Sequence, residues 1–152
     1  MSVLKSFLLG GQSIARVDDI LAGLTLDAAT RAVPGVPYSI YALLWHIEFT
    51  QNLLLQAVAD DAGEVAFPPA EKQWPTAVPD EDAWEDLISR LRAGVYEASE
   101  LAAVPQGLSE RDREVLEDVA AHNAYHWGQV VLLRRLLGHW PEGQAGSAGL
   151  VS

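Results

Sequence analysis

Apolar residues recur at intervals of three and four through four long stretches of this chain, and no stretch alternates convincingly as a half-buried strand does. That period is the helical one, with the spaced residues on one face of a 3.6-residue turn. The clearest case is Trp84, Leu87, Ile88, Leu91, Val95, Ala98 and Ala102. An all-α fold follows. Four long helices can bury four such faces only by packing against one another, so a four-helix bundle is expected.

The expected boundaries come from caps and breakers. The first helix is expected from about Ser2 to Gly23, with Ser2 as cap and Gly10-Gly11 weakening its middle. A turn region holding Pro34, Gly35 and Pro37 leads to a second helix from about Ser39 to Asp60, capped by Ser39, with Leu43, Ile47, Leu54, Leu55 and Val58 facing inward. The segment 61–79 carries four of the eight prolines, too many for a helix, and is expected to be a long crossover. Asp80 caps a third helix to Ala103, which Pro105-Gln106-Gly107 closes. The fourth runs from about Ser109 to Gly138, opening with the capping-box-like Ser109-Glu110-Arg111-Asp112 and ending before Pro141. Residues 1–141 are thus one domain, and the Gly-, Ala- and Ser-rich segment 142–152 a flexible tail.

The inner stripe of the fourth helix reads Val115, Val119, His122, His126, then Gln129 or Val130, Leu133, and Leu136 or Leu137. Two imidazoles replace aliphatic side chains on one face, four residues apart. An unsatisfied buried polar ring costs ~1–3 kcal/mol, so the pair needs an explanation. One is a divalent ion; the other is that each ring bonds a tyrosine, a carboxylate or water, and spacing alone does not choose between them. The second helix offers a third imidazole, His46, near Leu43, Thr50 and Leu53. His46, His122 and His126 are therefore the candidate metal ligands, leaving a fourth position open as in catalytic zinc sites. Spacing does not say whether the two helices bring them to one level.

Other polar residues have weaker claims. Gln129, one turn after His126, could bond a substrate or a metal-bound water. Tyr125 could be a proton donor or a packed ring. Asp118, four residues before His122, could orient its imidazole. Glu48 faces away from His46 and is not a candidate ligand. His139 belongs to the helix end, where a cation favours the dipole. Trp74, in the crossover, could line a pocket mouth. No nucleophile motif and no glycine-rich phosphate loop is present.

Composition removes whole classes. Without cysteine there are no thiolate ligands, disulfides or cysteine nucleophiles. A formal charge of −11 repels phosphate backbones and anionic lipid, so neither nucleic acid nor membrane is expected as a partner. The apolar run near the N-terminus is short and continues in helical spacing without a clean cleavage site. No apolar run approaches the ~20 residues that span a bilayer. A soluble cytoplasmic protein is the expectation.

The chain resembles the DinB/YfiT-like family of metalloenzymes, small bacterial four-helix bundles. Tyr38-Ser39-Ile40-Tyr41-Ala42-Leu43-Leu44-Trp45-His46-Ile47 carries the resemblance in the second helix. Ala120 to Gly138, with His122-Asn123-Ala124-Tyr125-His126-Trp127-Gly128-Gln129, carries it in the fourth, followed by Trp140-Pro141. It extends from the first helix to Pro141. It implies that His46, His122 and His126 hold a divalent ion, zinc or nickel first, with iron and manganese open. It also implies a homodimer, in keeping with the five tryptophans. Some members are transferases or isomerases that use low-molecular-weight thiols such as mycothiol or bacillithiol; others resemble metal-dependent hydrolases. The expected function is metal-dependent, thiol-using S-transfer to a small electrophile. The alternatives are a metal-dependent hydrolase, a non-catalytic metal or small-ligand binding protein linked to stress, and a metal-free bundle.

Overall fold

The computed structural model describes residues 2–61 and 64–141, and among these it is helical with no strand. The helices are α1 (Val3–Leu9), α2 (Val17–Leu21), α3 (Leu26–Thr30), α4 (Ile40–Ala59), α5 (Glu81–Ala103) and α6 (Glu110–Leu136). The tail expected at 142–152 lies outside the described residues.

The long helices start where their caps place them. The side chains of Ser39, Asp80 and Ser109 accept from the backbone N–H three residues on, of Ala42, Ala83 and Asp112, satisfying donors that the first turn leaves open. At the far end of α6, Gly138 takes φ +71°, and the N–H groups of Gly138 and His139 turn back to the carbonyls of Arg135 and Arg134. This is the Schellman closure that glycine permits.

The expected single helix over 2–23 is instead two. Gly10 adopts φ +74°, and a Cβ there would run into the carbonyl of Ala15. The chain folds back on itself at this point, with Gly11 N–H donating to the Ile14 carbonyl at 2.8 Å. The helical spacing of Ile14, Val17, Ile20 and Leu21 reflects burial of a short second helix. The turn region also contains α3, capped by Thr25.

Helix α4 packs on α5 and α6, and α1 packs on α5 and α6. Two apolar clusters form. One gathers Ile40, Leu43, Leu44 and Ile47 of α4, Leu87 and Leu91 of α5, and Trp127, Val130 and Leu133 of α6. The other gathers Leu8, Leu54, Leu55, Ala98, Leu116 and Val119. Between them lies a polar level. Gln51 of α4, 1% exposed, accepts from Asn123 Nδ2 of α6 at 2.9 Å and donates to the Leu91 carbonyl of α5 at 3.2 Å. Its carboxamide ties three helices together where aliphatic packing stops. On the α4–α5 seam, Glu48 is buried and pairs with Arg90 at 2.7 Å, and Arg90 also bonds Asp86. With the guanidinium half exposed, the pair is a matter of about 1 kcal/mol.

Arg134 is the other buried polar anchor, 2% exposed. It donates to the carbonyls of Ile20, in α2, at 2.6 Å and of His139 at 2.8 Å, and lies over the Trp140 ring. The C-terminal ends of helices carry partial negative charge, so carbonyls there can hold this cation. Burial lowers its pKa.

Candidate metal centre

The polar level brings His46 and the α6 pair together. Tyr38 bonds Gln129, His46 meets His122, and Gln51 meets Asn123, so α4 and α6 run antiparallel and the three imidazoles share one height. One nitrogen from each of His46, His122 and His126 lies within 4.8 Å of the others. The ring centroids are 4.5–4.9 Å apart, and the rings are tilted or edge-on to one another rather than stacked.

Two outer nitrogens set the role of the inner ones. His46 Nδ1 is 2.8 Å from the Gln73 carbonyl, which can only accept, so Nδ1 carries a proton and in the neutral ring Nε2 keeps its lone pair. His126 Nδ1 is 2.6 Å from Gln129 Oε1, with the same result. Gln129 in turn donates from Nε2 to the Tyr38 hydroxyl at 3.0 Å. His122 Nε2 stands 3.1 Å from His46 Nε2. Two nitrogens bound ~2.0–2.1 Å from one tetrahedral ion lie ~3.4 Å apart, so the spacing suits a shared ion. It equally suits one N–H···N bond. His122 Nδ1 is buried without a protein partner.

Residues 68–74, between α4 and α5, take part in the site. Gln73 fixes His46 through its carbonyl, and its own side chain donates to the Pro68 carbonyl at 2.7 Å. Trp74 lies flat on His46, with centroids 4.1 Å apart and planes 7° apart. Tyr38 lies near parallel to Trp74, with ring centroids 6.1 Å apart. The expected role of Trp74 at a pocket mouth is met: it borders a cleft of about 690 Å³. That cleft is lined by no histidine and adjoins the triad through Trp74 and Tyr38.

Several candidate roles change. Gln129 is spent on His126 and Tyr38, so it positions an imidazole and does not await a substrate. Asp118 is exposed and makes no bond to His122. Tyr125 is 68% exposed and touches His126 only ring edge to ring, at 5.1 Å. Glu48 is engaged by Arg90. Gln51, Asn123, Gln73 and Tyr38 were not legible as site residues. The one available signal was Gln51 and Asn123 standing on otherwise apolar faces.

Burial, then the neighbouring His126 and His46 rings, holds His122 well below its ordinary 6.5, at about 4. Burial also lowers His126, against the Gln129 bond that raises it. Neutral imidazole is the form that binds a cation. It also makes stability pH-dependent. For His122 the unfolded chain takes up a proton near 6.5 and the folded chain only near 4, so its contribution is complete above 6.5 and is lost as pH falls towards 4. In metal-stripped protein, wild type should therefore lose more stability than His122→Gln between about pH 7 and about pH 4.5. Urea midpoints at the two pH values check this, and equal losses would contradict it.

No family model, no curated protein and no solved structure matches the chain.

Proposed function

We propose that His46, His122 and His126 hold one divalent ion, zinc or nickel first, in an enzyme of the DinB-like kind. The observation that carries this is the convergence of three imidazoles from two helices, two with their outer nitrogens tied to oxygen acceptors. Such outer bonds orient ligating histidines and make them stronger bases. The architecture is read as a four-helix bundle of α1, α4, α5 and α6, with 61–79 as the crossover.

The ion would supply Lewis acidity and lower the pKa of a thiol or a water. The chain supplies position and dryness. Gln73 and Gln129 aim the rings, and Trp74 covers His46. Among the described residues no carboxylate bonds any of the three histidines, so a proton-accepting base for water is lacking. A thiol, with an ordinary pKa of ~8.5, needs less help to ionise, which favours S-transfer to a small electrophile over hydrolysis. In cobalt-loaded protein, titration with glutathione, bacillithiol or mycothiol should raise a sulfur-to-cobalt charge-transfer band. If none of the three perturbs the spectrum, hydrolysis or plain metal binding replaces thiol transfer.

A homodimer is the second part of the reading. Tyr125, Leu132 and Leu136 are exposed along the outer face of α6, and Gly128 stands among them with open space where a Cβ would be. A glycine inside an exposed helix costs ~1 kcal/mol against alanine, which close approach of a second helix would offset. Antiparallel pairing centred between Tyr125 and Gly128 sets Asp118 against Arg135. Light scattering at micromolar concentration should give twice the 16.5 kDa chain mass, and Leu132→Glu should give the monomer. A wild-type monomer would refute the pairing.

A further inference from the structure

The cleft beside Trp74 is large enough for a small molecule, at about 690 Å³. Its walls come from the end of α3, the start of α4 and the last part of the crossover, with Tyr38, Tyr41, Trp74, Thr76, Val78 and Pro79 among them. None of its lining residues is charged, in a chain of net charge −11. A charged ligand would shed water there and find no counter-charge on the lining, while Arg90, which acts on Tyr41, is already held by Glu48 and Asp86. Tyr38 and Trp74, with ring planes 16° apart, give the cleft aromatic walls. Planar conjugated molecules gain most from such walls.

One polar handle is specific. The Tyr38 hydroxyl accepts from Gln129 Nε2 at 3.0 Å, and among the described residues it donates to none. Its proton is available to an acceptor oxygen. The two walls also touch the triad: Trp74 lies on His46, and Tyr38 holds Gln129, which holds His126. The cleft and two of the three imidazoles are thus built from shared residues.

We propose that this cleft binds an uncharged, planar small molecule bearing a carbonyl oxygen, with its flat face on Trp74 and its oxygen on the Tyr38 hydroxyl. Its role as the substrate acted on at the histidines rests on the metal reading above; its binding does not.

The test is calorimetric titration of metal-stripped protein with three probes of one ring size: acetonaphthone, naphthoate and ethylnaphthalene. The ketone should bind about fivefold more tightly than the hydrocarbon, the worth of one hydrogen bond. It should exceed the carboxylate by about tenfold or more. Tyr38→Phe should reduce the ketone to the affinity of the hydrocarbon and leave the hydrocarbon unchanged. Trp74→Leu should weaken both. Val78 is 86% exposed, so Val78→Arg leaves the core alone; it should admit naphthoate by giving it a counter-charge. Naphthoate binding as well as the ketone in wild type, a Tyr38→Phe effect equal on ketone and hydrocarbon, or no binding of the ketone at about 1 mM would each overturn the proposal. Binding as described by a protein that takes up no divalent ion would leave the cleft standing and count against the metal reading.

Discussion

Gly94→Ala should destabilise the protein by about 2 kcal/mol or more, although the same change in an ordinary helix stabilises by ~1 kcal/mol. Gly94 is in the interior of α5, and a Cβ there would overlap the carboxamide of Gln51. Gln51 is the side chain that joins α4 to the Leu91 carbonyl of α5 and to Asn123 of α6. Pushed aside, it leaves buried polar groups unpaired at ~1–3 kcal/mol each, which outweighs the gain in helix propensity. In a Gln51→Ala background the obstacle is gone, and Gly94→Ala should become neutral or stabilising. Urea unfolding of the four proteins forms a double-mutant cycle, and additive effects would show that Gly94 is not there to admit Gln51.

Metal should be the larger stabiliser. A ligand at a hundred times its dissociation constant stabilises the form that binds it by ~2.7 kcal/mol. For a chain of this size, each kcal/mol moves Tm by ~2–4 °C. Chelation should therefore lower Tm by several degrees in wild type. It should do nothing to His46→Ala, His122→Ala or His126→Ala, each of which removes one of three ligands. His139→Ala should respond as wild type does, since His139 belongs to the end of α6 and its carbonyl serves Arg134.

How far the sequence reaches can be judged from particular residues. Ser39, Asp80 and Ser109 announce their helices because an N-cap is a local event: the acceptor and the donor are three residues apart. The α6 pair is legible for the same reason. The break after Leu9 has no such local mark, because the helical period of Ile14 to Leu21 looks the same in one helix or two. What separates them is the φ of Gly10 and its close approach to Ala15. The level of His46 could not be read, because it depends on how α4 and α6 slide past each other. That register is held by Gln51 with Asn123 and by Tyr38 with Gln129, pairs 72 and 91 residues apart. Gln73 holds His46 through a backbone carbonyl, an atom every residue has, so no side-chain pattern marks it.

The most direct measurement is elemental analysis of the purified, dialysed protein beside its three single histidine variants. One divalent ion per chain in wild type, and close to none in His46→Ala, His122→Ala and His126→Ala with their helical content intact, is the expected result. Absence of metal from wild type even after incubation with zinc or nickel, or full occupancy retained by all three variants, would contradict a centre built from these three imidazoles.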